Sequence, residues 1–398
     1  MEVLIADSLA PSAVGNLERL GLSVRVDAGL KDESLAAAIG GAEILVVRST
    51  EVNRAIIDAA PELALIIRAG AGVNTIDLEA AGERGIFVAN CPGKNTKAVA
   101  ELALGLIIAA DRRIVDASTD LRAGRWKKGE YGKARGLAGR TLGIVGLGSI
   151  GMALAHRARG IEMEVAAWSR SLTPETAAAA GVHFAADLKE LAAMSDVVSV
   201  HVAGSKETKG LIGRDFFAAM RPGAIFVNTA RGDVVDSAAM FDAASTKNIK
   251  LALDVYEDEP SGSDAAFPVP TAENIGAMTP HIGASTDQSR EAVADEVVAI
   301  VESFIHTGHP VNAVNLRERT PARHILVVRH HNRVGVLAGV LQALRQAGIN
   351  IEEMENTIFD GDKTASCILR LDDEADEGTK QAIRDLPDVI RLLARREE

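Results

Sequence analysis

The sequence predicts an α/β protein in which two units of alternating strands and helices stand in tandem, followed by a smaller βαββαβ sandwich. Three observations carry that prediction. Short apolar runs alternate with helical patterns from the first residues onward. A glycine-rich turn, Gly146-x-Gly148-x-x-Gly151, restarts the alternation midway. After Pro310 the pattern changes again, through the charged stretch Leu316-Arg317-Glu318-Arg319-Thr320-Pro321.

Taken in order, residues 3–6, 22–26, 44–47, 64–68 and 86–89 read as parallel strands of the first unit. A helix over 97–114 leads out of it. The second series begins with the strand 142–145 and continues at 164–168, 197–201, 224–228 and 251–254. A helix at 287–307 then returns the chain. The expected division is a substrate-binding domain at 1–96 and 287–316, a dinucleotide-binding domain at 97–286 and a regulatory domain at 322–398. A ligand cleft is expected between the first two lobes. In the third domain, strand 324–328, helix 335–348, strands 349–359 and 364–371, helix 377–386 and strand 389–394 give a ferredoxin-like order.

Composition narrows the function classes. The chain has 398 residues, 47% hydrophobic and 25% charged, too long for one core and ordinary for a globular protein. Its net charge of −12, from 43 Lys+Arg against 55 Asp+Glu, disfavours nonspecific nucleic-acid binding, because phosphate affinity comes from basic surface. Cys91 and Cys367 are its two cysteines, in no C-x-x-C pair, so neither a disulfide framework nor a metal site is expected. Residues 1–7 read as a strand rather than a signal peptide. The apolar stretch 102–110 is far shorter than the roughly 20 residues that span a bilayer. A cytoplasmic location is therefore expected.

The glycine turn follows an apolar strand and opens a helix, which is the context a dinucleotide fingerprint requires. Gly146 permits the tight turn and Gly148 lets backbone approach a pyrophosphate. Ser149, Ile150 and Gly151 open the helix, whose N-terminus offers unpaired N–H groups to it. About 20 residues on, NAD enzymes commonly carry an acidic residue for the ribose hydroxyls. Here stand Ser169 and Arg170. Ser169 can donate to a 2′-phosphate and Arg170 can pair with it, so NADP remains open beside NAD.

Three segments lie at strand ends of the second unit: Asn228-Thr229-Ala230-Arg231-Gly232, Asp254-Val255-Tyr256-Glu257-Asp258-Glu259-Pro260 and Thr279-Pro280-His281-Ile282-Gly283. Oxidation of a secondary alcohol by hydride transfer needs a base for the hydroxyl proton, a carboxylate to orient that base, and a cation for an acidic substrate. His281, an acidic neighbour and Arg231 supply these types. Singly, each reads as an ordinary surface or turn residue. In this order, with the Val145–Gly151 stretch, they resemble the D-isomer-specific 2-hydroxyacid dehydrogenase family over roughly residues 40 to 315.

The resemblance implies two Rossmann-like, doubly wound lobes, the substrate lobe discontinuous. It places the substrate-binding arginine at Arg231, the carboxylate at Glu259 and the acid/base at His281. Glu257 competes for the acidic role, and the position before Pro260 decides for Glu259. Asp254 matches the residue that accepts from the nicotinamide carboxamide, with Thr229 and Ala230 near the ring by backbone. In the first lobe, Gly70, Ala71, Gly72 and Val73 match the loop that cradles the substrate carboxylate, Arg48 the residue at its far end, and Asn95 the start of an N-x-x-x-x-x-E stretch ending at Glu101.

Within the family the phosphoglycerate dehydrogenases are the nearest resemblance. Arg125-Trp126-Lys127-Lys128, then Lys133 and Arg135, concentrate positive charge where those enzymes meet their partner subunit, so Lys127 or Lys128 is expected to approach a neighbour's site. Two departures stand out: His201-Val202-Ala203 lacks the Thr-Pro often found there, and Cys91 replaces a common threonine. The segments His330-His331-Asn332-Arg333-Val334-Gly335 and Gly348-Ile349-Asn350-Ile351 resemble an ACT domain, with His330, Asn332 and Asn350 at its serine-binding positions and Val334 in place of a usual proline.

The function implied is oxidation of 3-phospho-D-glycerate with a nicotinamide coenzyme, in a homodimer or homotetramer inhibited by L-serine. The rival is an NADPH-dependent glyoxylate or hydroxypyruvate reductase, for which such a regulatory domain is not usual. A corepressor-like NAD sensor shares the two-lobed fold. Its C-terminal extension is disordered, whereas residues 323–398 read as folded.

Overall fold

Parallel strands covered on both faces need apolar residues at successive positions, and the first five runs supply them. Val3, Ile5, Ile44, Val46, Leu65 and Ile67 bury into one layer, while Leu4, Leu45, Val47 and Ile66 bury into the opposite one. The computed structural model describes residues 1–260, 265–268, 274–317 and 320–397, and they divide into two units, Met1–Asn315 and Leu316–Glu398.

In the first unit, β1 (Glu2–Ile5), β2 (Ser23–Val26), β3 (Ile44–Val47), β4 (Leu65–Arg68) and β5 (Phe87–Asn90) form a parallel sheet in the order β2-β1-β3-β4-β5. A second, seven-stranded parallel sheet comprises β6 (Thr141–Val145), β7 (Glu164–Trp168), β8 (His183–Phe184), β9 (Val197–Val200), β10 (Ile225–Asn228), β11 (Lys250–Leu253) and β12 (Ile275–Met278). Its order is β12-β11-β10-β9-β6-β7-β8, reversing between β6 and β9. Both sheets are doubly wound.

The helix Asp287–Thr307 buries Val297, Ile300 and Val301 against the first sheet, so the chain does return. Beyond it, Asn90 N–H donates to the Asn312 carbonyl and Val314 N–H to that of Val88, at 3.3 and 2.8 Å, fastening the returning segment along β5.

Some element bounds differ from those expected. The helix projected over 97–114 is Thr96–Arg112, because Arg113 adopts φ 51°, a left-handed conformation that ends an α-helix; Ile114–Arg122 starts anew from there. Strands β8 and β12 were not expected. β8 has two residues, and β12 contains Gly276, which weakens strand propensity. A side chain there would lie 2.9 Å from Ala110 Cα in the helix crossing the sheet.

The second unit is a four-stranded antiparallel sheet, β14 (Ile351–Ile358), β15 (Thr364–Leu371), β13 (His324–His331) and β16 (Val389–Arg396) in that order, with two helices, Val336–Gln346 and Glu377–Arg384. Leu326, Val328, Val340, Leu344, Leu369 and Ile383 build its core. Strand β13 runs past the expected end at 328 to His331, because His330 and His331 stay paired with Ala365 and Thr364. Glu318 and Arg319 of the expected linker lie outside the described residues. Among the described residues no helix is long and apolar enough to cross a membrane.

Candidate active site

At the carboxyl end of β6 the chain turns through Gly146, at φ 95°, and enters the helix Ser149–Gly160. A side chain at Gly151 would sit 2.3 Å from the Gly146 carbonyl, so helix and turn can approach this closely only without a Cβ. Gly148 is the N-cap and supplies no side chain to the first turn. The N–H groups of Ser149, Ile150 and Gly151 thus open onto the β6/β9 reversal, which fits a pyrophosphate. Ser169 and Arg170 follow β7; both are exposed or partly so, and Ser169 closes a turn to Leu172. Glu207, lowered from its ordinary pKa first by Ser205 and more weakly by the charge of Arg170, brings an acid near that arginine.

The three strand-end segments converge. His281 Nδ1 lies 2.5 Å from Glu259 Oε2, and Glu259 Oε1 accepts from the Tyr256 N–H at 2.9 Å. Burial works to raise the Glu259 carboxyl, but the hydrogen bonds from His281 and Tyr256 and the charge of Arg231 hold it below its ordinary value. His281 sits at φ 51°, rare for a residue with a side chain, with its N–H donating to the Asp254 carbonyl at 2.8 Å. Since a carboxylate only accepts, Nδ1 carries the proton, and in the neutral ring the lone pair is then on Nε2.

Asn228, not singled out from the sequence, shapes the neighbouring turn: its Oδ1 accepts from Ala230 N–H and its Nδ2 donates to the Arg231 carbonyl. Gly232 is required because a Cβ would fall 1.9 Å from the Tyr256 carbonyl. Thr229 and Ala230 are buried beneath this turn.

Arg231 reaches the first lobe. Its Nη2 lies 3.5 Å from where a Cβ on Gly72 would stand. The Gly70 and Ala71 carbonyls are taken by Cys91 N–H and Asn90 Nδ2, at 2.9 and 2.6 Å. Because a trans peptide points its C=O and N–H oppositely, the N–H groups of Ala71 and Gly72 face away from β5, as an anion cradle needs. Arg68, absent from the expected site, joins Arg48 and Arg231: burial lowers its pKa first, and then the like charges of those two arginines. Its Nε is buried without a partner, and none of the three arginines pairs with a carboxylate among the described residues. The sequence did contain a signal, Arg68 ending the strand that feeds the glycine loop.

Other expected residues are placed differently. Asp254 is 1% exposed and its carboxylate accepts from Thr279 Oγ1, Ile282 N–H and Gly283 N–H at 2.6, 2.9 and 2.9 Å, so its first task is to hold the turn around His281. Asn95 is the N-cap of Thr96–Arg112 yet makes no capping bond, and Glu101 pairs with Arg157. The basic run is partly neutralised within the chain. Lys127 and Arg125 both bond Asp120, at 2.8 and 2.9 Å, and Tyr131 adds its hydroxyl, so that Lys127, Tyr131 and Arg125 hold that carboxyl well below the usual carboxylate range. Lys127 is therefore not an unpaired cation projecting outward; Lys128 and Trp126 remain exposed.

In the second unit His330 is 2% exposed, with Nδ1 at the His331 carbonyl and Nε2 at Asn356 Oδ1, 2.8 and 3.2 Å. Asn332 donates to the Asp362 carbonyl beside it. Asn350 lies at the other end of the sheet, its N–H on Asp372, roughly 26 Å away along an eight-residue strand. One chain does not bring the three together.

Residues 104–283 match the family described as D-isomer specific 2-hydroxyacid dehydrogenase, NAD binding domain, and residues 324–388 match the ACT domain. The chain is 41% identical over 327 residues to the D-3-phosphoglycerate dehydrogenase of Archaeoglobus fulgidus, covering 81% of this chain and 60% of that protein. It is 39% identical to the glyoxylate reductase of Thermococcus litoralis, over 68% of this chain and 83% of that one. A solved structure of NAD+-bound 3-phosphoglycerate dehydrogenase from Entamoeba histolytica aligns with a TM-score of 0.65 at 28% identity, covering 79% of this chain and 99% of that one. The chain thus spans about 60% of the length of the phosphoglycerate dehydrogenases it matches first.

Proposed function

The chain belongs to the D-isomer-specific 2-hydroxyacid dehydrogenase family, and from that premise we propose that it oxidises 3-phospho-D-glycerate to 3-phosphohydroxypyruvate, the entry to serine synthesis. The observation that carries this reading is that Arg231, whose charge acts on the Glu259 carboxyl bonded to His281, is joined by Arg68 and Arg48 in a chain of net charge −12. A substrate anionic at both ends suits three cations better than one.

In this reading the substrate carboxylate lies on the N–H groups of the Gly70–Val73 loop and on Arg231, with the phosphate toward Arg48. His281 Nε2 takes the C2 hydroxyl proton. NAD+ held on the Gly146–Gly151 turn supplies the hydride acceptor. Glu259, ionised and bonded to Nδ1, fixes the ring and stabilises the imidazolium that results. In the reverse direction the same Nε2 returns the proton. The partner-facing role of Lys128 and Trp126, a homodimer or homotetramer, and a cytoplasmic setting belong to the same proposal.

A second reading, glyoxylate or hydroxypyruvate reduction with NADPH, draws on the Thermococcus relative and on Ser169-Arg170. Steady-state assays with 3-phosphoglycerate, 3-phosphohydroxypyruvate, glyoxylate and hydroxypyruvate, each with both coenzymes, separate the two. A kcat/KM for glyoxylate above that for 3-phosphohydroxypyruvate sinks the first reading.

The ACT domain supports an amino-acid effector, and we take it to be L-serine. Since His330 and Asn332 stand at one end of the sheet and Asn350 at the other, a single effector touching all three must bridge two chains. Serine should inhibit the wild type and lose its effect in Asn332→Ala with Asn350→Ala. Unchanged inhibition in that double variant excludes the site.

A further inference from the structure

The first sheet, ordered β2-β1-β3-β4-β5, reverses its winding between β1 and β3, and open α/β sheets bind ligands at the carboxyl ends of the strands flanking such a reversal. Asp7 follows β1 there and Arg48 follows β3. The Asp7 Oδ2 accepts from three successive backbone N–H groups, those of Arg48, Ser49 and Thr50, at 2.7, 3.1 and 3.0 Å, and Oδ1 meets the Ser49 hydroxyl at 3.2 Å. Burial works to raise this carboxyl, yet the three N–H bonds leave it below its ordinary value. It also eases the charge on Arg68, which is otherwise lowered by burial and by Arg231 and Arg48.

A cluster of N–H groups around one oxygen is a common loop fastening. Here the fastened turn begins with Arg48, whose backbone is thereby fixed at the point where its side chain departs. We propose that Asp7 is a positioning residue for substrate recognition, setting the Arg48–Thr50 turn so that the Arg48 guanidinium meets the end of the substrate remote from the reacting carbon. This rests on the reading of the cleft as a 2-hydroxyacid site. It extends that reading to a residue that never touches substrate.

The test measures kcat and KM in the direction of reduction for 3-phosphohydroxypyruvate, hydroxypyruvate and glyoxylate in the full chain. The variants are Asp7→Ala, Asp7→Asn, Arg48→Ala and Asp7→Ala with Arg48→Ala. In Asp7→Ala, KM for 3-phosphohydroxypyruvate should rise at least about tenfold with kcat and the coenzyme KM within about twofold, while glyoxylate, which has no remote end, is unaffected. Asp7→Asn keeps one accepting oxygen and should recover part of the loss. Adding Asp7→Ala to Arg48→Ala should change nothing further, since the effect passes through Arg48.

Unchanged KM in both Asp7 variants on every substrate the wild type uses overturns the proposal. So does a joint fall of kcat, coenzyme affinity and thermal midpoint, which marks a merely structural fastening. If Asp7→Ala does not fold, Asp7→Asn carries the same comparison. Failure of the substrate assignment is read separately, in the wild type: no preference for the phosphorylated acid over hydroxypyruvate rejects phosphoglycerate, and the Asp7 arm is then scored on hydroxypyruvate.

Discussion

Two parallel sheets in one unit reverse their winding at one place each, and each reversal carries positive charge of a different kind. At β6/β9 the chain presents a helix N-terminus behind glycines, with no side chain at Gly148 and no space for one at Gly151. At β1/β3 it presents side-chain charge, with Arg48 and Arg68 near one another and an acidic residue, Asp7, fastening the turn. The difference teaches that topology chooses where a ligand sits and local residues choose how. Backbone N–H groups suit a pyrophosphate that must lie flat on the protein, whereas guanidinium groups reach a small acid of variable length.

The comparison breaks most severely at the junction of the two. His281→Ala should cut kcat by about 10² to 10⁴-fold while coenzyme titration by fluorescence stays near wild type, since the ring serves proton transfer alone. Near wild-type turnover would remove His281 from its role.

Next in size, Gly151→Ala forces a Cβ against the Gly146 carbonyl, at 2.3 Å, in a backbone that cannot yield cheaply. Such overpacking costs about 1–3 kcal/mol, so coenzyme affinity should weaken about 10- to 100-fold. Substrate KM at saturating coenzyme should hardly move. Equal loss at both sites would mean that the reversals are not separable.

Glu259→Gln sharpens the junction through its charge. Burial works to raise the native carboxyl, yet His281 and Tyr256 hold it below its ordinary value, so it is charged at neutral pH. Gln keeps an oxygen that can accept from Nδ1 but removes the charge 2.5 Å from the ring, so kcat should fall by about 10- to 100-fold with coenzyme affinity unchanged. Wild-type turnover in this variant would mean that the Glu259 charge plays no part.

The smallest effect is expected at Ser169. NADP(H) should be accepted beside NAD(H), because β7 ends without a carboxylate, though Glu207 near Arg170 offsets part of the attraction for a 2′-phosphate. Ser169→Asp should lower kcat/KM with NADP(H) by about tenfold and leave NAD(H) nearly as it was. A wild type that already prefers NAD(H) several hundredfold would show Arg170 to be irrelevant to the choice.

Periodicity and glycine placement by themselves determined the strand order of appearance and the fingerprint turn, whereas Arg231, Glu259 and His281 were picked out by the resemblance of their three segments to the family. Local rules suffice for the strands and the turn, because buried parallel strands must be apolar throughout and a phosphate turn tolerates no Cβ. The helix break at Arg113 and the strand at Ile275–Met278 escaped, since both depend on neighbours: a left-handed residue joining two helices, and a helix crossing close over Gly276. Only the tertiary structure decided which charges are spoken for. Lys127 and Asp120 stand 7 positions apart and cancel, whereas Arg48, Arg68 and Arg231 come from two lobes and accumulate. Asp7 and Arg48 lie 41 positions apart, and no spacing rule connects them; they meet because β1 and β3 are paired in the sheet. Electrostatic energy depends on distance in space, and sequence separation says little about that distance once the chain has crossed between strands.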